Sequence, residues 1–108
     1  MAKLVHSLSG DFNTVLSKIT NGILNGSMSA SLEESWDVNG DTSRCSVRVF
    51  ERYSWTGENR VSMSVTLYQE NGGPVRLCAI TSGGSQALFF KMNTFGEEAF
   101  LDTLREIL

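Results

Sequence analysis

Histidine, proline and cysteine are scarce in this 108-residue chain, and it carries no excess of basic residues. His6 is the one histidine, so no histidine-based metal cluster can form, and no cofactor-binding motif is present. Cys45 and Cys78 lie far apart with no CxxC spacing. They allow one cross-strand disulfide or two packed thiols, and with no secretion signal the reduced pair is the expectation. Apolar residues in Met1–Ser9 alternate with polar ones and build no leader core, so the expected compartment is the cytoplasm. The longest apolar run, Ala87-Leu88-Phe89-Phe90, falls far short of the roughly 18–20 residues of a spanning helix, so no membrane partner is expected. A formal net charge of −3 argues against nucleic acid and against anionic membrane surfaces, both of which select a positive field.

What is present is alternation. Arg60, Ser62, Ser64 and Thr66 interleave with Val61, Met63, Val65 and Leu67, the period of a half-buried β-strand. Similar runs flank it, which places it in the middle of an antiparallel sheet. Lys3–Leu8 reads as the first strand, with Leu4, His6 and Leu8 on one face. Asp11 then suits a helix N-cap, and Phe12, Val15, Leu16, Ile19, Ile23 and Leu24 fall on one helical stripe. Asn25-Gly26 predicts a left-handed helix end.

Ser27–Leu32 alternates as a second strand, and the polar stretch Glu33–Thr42 reads as a turn in which Trp36 and Val38 can still pair. A third strand runs from about Arg44 to Trp55, with Cys45, Val47 and Val49 inward and Ser46, Arg48, Phe50 and Arg52 outward. Glu70–Pro74 closes a hairpin into the fifth strand, Val75–Thr81, whose two apolar faces imply cover on both sides. Ala87–Met92 is either a last strand or a buried crossover. Thr94-Phe95-Gly96-Glu97 matches a capping box, ahead of a helical stripe of Phe100, Leu101, Leu104, Ile107 and Leu108.

The reading is a single α+β domain over residues 1–108. It has a two-layer, five-stranded, mainly antiparallel sheet with two helices on one face, in the order β-α-β-β-β-β-α. A chain of this size buries roughly 60–70% of its unfolded surface, enough for one core. The order is that of the TATA-binding-protein-like topology, an analogy that carries no function.

Glu51-Arg52-Tyr53-Ser54-Trp55-Thr56-Gly57 and Ala79–Ala87, continuing into Asn93–Leu101, resemble a family of short bacterial proteins known only as a domain of unknown function. The resemblance spans nearly the whole chain. It implies a bacterial single-domain protein and supplies no substrate, activity or catalytic residue.

The phase of the strands defines the candidate sites. Arg48, Arg52, Arg60 and Arg76 are expected to project from the sheet face away from the helices, beside Phe50, Tyr68 and Ile80. Guanidinium forks bind carboxylates and phosphates in pairs, so this face is a candidate for anions, with Ser82, Gly83, Gly84, Ser85 and Gln86 as an adjoining glycine-rich nest. Phe50, Tyr68, Ile80 and Trp55 suit an interface, and an apolar patch in a polar rim fits an isologous dimer. A plainly solvated face with cross-strand ion pairs is the bland alternative. No nucleophile elbow is present, and the adjacent Glu33-Glu34 and Glu97-Glu98 cannot form a two-carboxylate site alone. The expectation is a non-enzymatic interaction module that self-associates through the open sheet face or edge, as a homodimer or other homo-oligomer. The alternative is a small anionic ligand-binding protein, possibly an enzyme, using the arginines and the Ser82–Gln86 loop.

Overall fold

In the computed structural model, residues 1–53, 60–83 and 90–108 are described. The elements are β1 (Ala2–Leu8), α1 (Phe12–Gly26), β2 (Ser31–Asn39), β3 (Ser43–Tyr53), β4 (Arg60–Glu70), β5 (Val75–Gly83) and α2 (Phe90–Arg105). The sheet is antiparallel throughout, with strand order β1-β5-β4-β3-β2, so the alternating Arg60–Leu67 run does occupy its centre. The five-stranded α+β order read from the sequence is therefore correct.

The odd residues of β4 (Val61, Met63, Val65 and Leu67) are buried, as are Val75, Leu77 and Ala79 of β5. Phe12, Val15, Ile19 and Ile23 of α1 pack onto them with Phe100, Leu101 and Leu104 of α2. This apolar layer is the core. Asp11 caps α1 as its chemistry requires, accepting hydrogen bonds from the Thr14 amide at 3.0 Å and the Thr14 hydroxyl at 3.1 Å. At the β4–β5 hairpin, Asn71 and Gly72 have φ of 48° and 71°, and the Gly73 amide donates to the Glu70 carbonyl at 2.8 Å. Two successive positive φ values make the primed turn that matches the sheet's twist.

Five local expectations are corrected. Glu33–Thr42 is no turn as a whole, because β2 runs through it to Asn39, and Ser27–Ala30 lies outside the strand. The capping box does not start a helix: α2 begins at Phe90 and runs through Thr94–Glu97. Phe90–Met92 is thus helical, while Ala87–Phe89 fall outside the described residues. The Glu97 carboxylate instead accepts the Gly83 amide at 3.0 Å and pairs with the Met1 amine at 2.9 Å, joining α2 to β5 and to the start of the chain. No left-handed glycine ends α1: its C-cap, Ser27, is extended at φ −145°. Finally, β5 has helices on one side only, and Ile80 on its other side is 40% exposed.

Glycines in α1 serve helix packing. A Cβ on Gly22 would stand 2.5 Å from Ile107 Cδ1, and one on Gly26 would stand 2.8 Å from Thr103 Cγ2. The two helices therefore touch backbone to side chain. Gly22→Ala is expected to destabilise the protein by about 1–3 kcal/mol through overpacking, against the helical preference for alanine. In an Ile107→Ala background the same substitution should become stabilising by up to about 1 kcal/mol. Urea unfolding of the four proteins measures both signs.

Candidate functional site

The register decides which side chains share a face. Phe50 pairs with Met63, Arg52 with Val61 and Arg48 with Val65, so the even residues of β3 stand on the helix side. This reverses the expected phase of β3 and dissolves the four-arginine surface. Arg48 and Arg52 lie on the side of the helices, whereas Arg60 and Arg76 lie on the open side. Phe50, expected at an interface, is fully buried in the core.

The reason lies at the margin of the helix layer, which covers β1, β5 and β4 and reaches only part of β3. Long arginine stems close that margin. Arg44 stacks on Phe12 at 4.3 Å from the ring centre and donates to Asn13 Oδ1 at 2.7 Å. Arg52 stacks on Phe100 at 4.6 Å and donates to Thr103 Oγ1 at 3.4 Å. Burial lowers the Arg52 pKa below that of a free guanidinium. Arginine can do this because its stem and planar head bury against a ring while the charge keeps polar partners.

Between them, Arg48 Nη1 lies 2.9 Å from Asp37 Oδ1 on β2, and the Ser46 hydroxyl donates to the same carboxylate at 2.5 Å. On the open side, Arg60 pairs with Glu51 at 2.7 Å and with Glu33 at 3.6 Å. Arg76 lines a small groove with Tyr68, Glu70 and Pro74. The arginines are thus distributed among separate partners and do not converge.

The proposed anion nest fares similarly where it can be followed. The Ser82 hydroxyl lies 2.9 Å from that of Ser62 on the open face, and the Gly83 amide is committed to Glu97. Gly84, Ser85 and Gln86 lie outside the described residues, as does Trp55. His6 is exposed on the edge strand β1. A polar cleft of about 640 Å³ opens at the turn end of the sheet, lined by Asn13, Asn39, Asp41, Arg44, Gln69 and Asn71 among others. Two of the Arg44 N–H groups there already serve Asn13 and Asn39.

What the register does bring together is an apolar band across the open face. Three rows of side chains cross the sheet. One runs Lys3–Ile80–Ser64–Val49–Glu34, the next Val5–Cys78–Thr66–Val47–Trp36, and the third Ser7–Arg76–Tyr68–Cys45–Val38. Val5 is 64% exposed, Trp36 62% and Val38 43%. Tyr68 and Ile80 stand where the sequence put them. Val5, Trp36, Val38, Val47 and Val49 were missed. The uniform apolar run Cys45-Val47-Val49 read as core, and the acidic residues around Trp36 and Val38 read as a turn. The period-two spacing of Glu34, Trp36 and Val38 was the available signal.

Among the described residues no group of histidine, cysteine or acidic side chains is arranged to hold a metal ion, and no helix is long and apolar enough to cross a membrane. The sequence profile of a family of unknown function (DUF6054) matches residues 1–108. No curated protein and no solved structure matches the chain.

Arg48 and Ser46 together hold the Asp37 carboxyl below the usual carboxylate range, the Arg48 hydrogen bond being the larger cause. Because the folded value is depressed, the contribution of Asp37 to stability is complete above about pH 4. It fades as the pH falls through the folded value. An NMR titration should find Asp37 below 3.8, and Arg48→Gln should move it back toward 3.8.

Proposed function

We propose that this chain, which belongs to the DUF6054 family, is a non-enzymatic interaction module that forms a homodimer through the open face of its sheet. One observation carries the reading: the face turned away from both helices bears Val5, Ile80, Tyr68, Val47, Val49, Trp36 and Val38, with Ser64 and Thr66 of the central strand between them. An antiparallel sheet that ends at water alternates apolar-in with polar-out. Here Cys45, Val47 and Val49 of β3 and Cys78 and Ile80 of β5 stand on the side that the helices leave open. Apolar bands of this kind, rimmed by polar residues, mark interaction surfaces.

Its dimensions suit a second copy. Five strands about 4.8 Å apart, with a rise of about 3.3 Å per residue along β4, outline a footprint of roughly 600 Å². A standard interface buries about 800 Å² per partner. On one flank of the polar rim, Arg60 already pairs with Glu51 at 2.7 Å and with Glu33 at 3.6 Å.

The cysteines fit a reducing compartment such as the cytoplasm. Cys45 and Cys78 are both free, on the same face but separated by β4 and offset by two residues along it, so their Cα atoms lie about 12 Å apart. A disulfide spans about 4.4–6.8 Å.

Sedimentation at micromolar concentration should show a dimer. Val47→Asp, in the middle of the band, should give a monomer with an unchanged circular dichroism spectrum. A wild-type protein that sediments as a monomer overturns the reading.

A further inference from the structure

The polar cleft at the turn end of the sheet lies on the helix side and is separate from the proposed dimer contact. Asn39, Arg44 and Gln69 stand in one row across β2, β3 and β4, and Asn13 comes from the first turn of α1. The β2–β3 turn closes on itself through the Gly40 amide, which donates to the Ser43 carbonyl at 2.8 Å. The Asn71 amide donates to the Thr42 carbonyl at 2.7 Å and ties that turn to the β4–β5 turn. Backbone hydrogen bonds therefore set the walls before any ligand arrives, which lowers the cost of binding.

Arg44 is held in place within this cleft. Its Nε donates to Asn39 Oδ1 at 3.1 Å, its Nη2 donates to Asn13 Oδ1 at 2.7 Å, and the guanidinium lies on the Phe12 ring. A guanidinium has five N–H groups, so three stay without a partner among the described residues. Asn13 and Asn39 commit their oxygens to Arg44, so each presents an NH2 donor beside it. Gln69 is oriented the other way: its Nε2 donates to the Gly73 carbonyl at 2.8 Å, which leaves Oε1 as an acceptor.

Arg44 and Asp41 are the two charged residues of the lining. Neither forms an ion pair, with the other or with any other described residue. Asp11 feels the Arg44 charge, but Thr14 engages its carboxylate and no ion pair joins the two. A simple anion would bring its charge into a cleft that Asp41 also lines, and a simple cation would meet Arg44 there. A ligand with both charges on neighbouring groups satisfies the two residues at once. The geometry points to a site for a free α-amino acid zwitterion, its carboxylate on Arg44 and the flanking amides and its ammonium on Asp41 and Gln69 Oε1. The rest of the lining is hydroxyl, amide and glycine, so the side chain it takes is polar and uncharged. A volume of about 640 Å³ falls within the roughly 300–1,000 Å³ of small-molecule sites.

An NMR titration of isotope-labelled protein tests the site with probes that differ by one group. L-Serine carries both charges, L-glycerate has a hydroxyl in place of the ammonium, and ethanolamine lacks the carboxylate. L-Serine should saturably shift the side-chain amides of Asn13, Asn39 and Gln69. The other two should bind about tenfold or more weakly, because each loses a charged hydrogen-bonded contact. Asp41→Asn should weaken L-serine by about tenfold and leave L-glycerate no weaker, whereas Arg44→Gln should weaken both. Asp41 is exposed in a turn, so its substitution leaves the core intact, and thermal melts check that both variants are folded. No saturable shift with L-serine or L-glutamine up to about 20 mM overturns the site. So does L-glycerate binding as tightly as L-serine, or Asp41→Asn protein binding L-serine like the wild type. Sedimentation bears on none of these outcomes, so the dimer stands or falls separately.

Discussion

Phe50 opposite Met63 is the contact on which the rest of the sheet turns. Pairing along β3 and β4 is continuous from Ser43–Glu70 to Tyr53–Arg60, so the inward seat of Phe50 fixes every other side chain of β3. A slip of one residue would put Val47 and Val49 under the helices and expose Phe50. Instead Phe50 enters the core, where it is fully buried, and Val47, Val49 and Cys45 are left facing out, with Tyr53 beyond them at the strand's end. One aromatic ring buries more apolar surface than a valine, and its neighbours Arg44 and Arg52 can reach back over Phe12 and Phe100. The outward seats of Cys45, Val47 and Val49 are the consequence.

That choice explains why the fold was legible in the sequence and the face was not. The long signals survived contact with the structure: the alternation of β4, the stripe of α1, the Asp11 cap and the Asn71-Gly72 turn each depend on residues close in sequence. The phase of β3 depends on where the helix layer ends, and no local pattern encodes that. Cys45, Val47 and Val49 have the composition of an interior face, while Ser46, Arg48 and Arg52 have that of a wet one. Arginines stacked on core rings and tied to Asn13, Asp37 or Thr103 reverse the assignment. The acidic start of β2 misled in the same way. Glu33, Glu34 and Asp37 are the charges with which an edge strand resists pairing with other edges, and in sequence they resemble a turn. Thr94–Glu97 shows the converse: a correct local motif overruled because the helix begins earlier and Glu97 is needed by Gly83 and the Met1 amine.

The same geometry separates two kinds of surface. On the helix side, charge is used locally, with arginine heads spread along β3, each held by its own neighbours. On the open side, apolar side chains of β1, β5, β3 and β2 flank the small hydroxyls Ser64 and Thr66 of the middle strand, with Arg76 beside Tyr68. Polar groups do converge at the turn end of the helix side, in the cleft lined by Asn13, Asn39, Arg44 and Gln69.

The closure of the sheet carries a consequence for biosynthesis. β2 through β5 form a meander in which each strand pairs with its sequence neighbour, but β1 pairs with β5, about two thirds of the chain length away. A nascent polypeptide therefore exposes the first strand and the apolar stripe of α1 for several seconds of synthesis, at about 5–20 residues per second, before their partner leaves the ribosome. During that interval, Leu4 and Leu8 on one side and Val5 on the other are available to any factor that shields emerging chains.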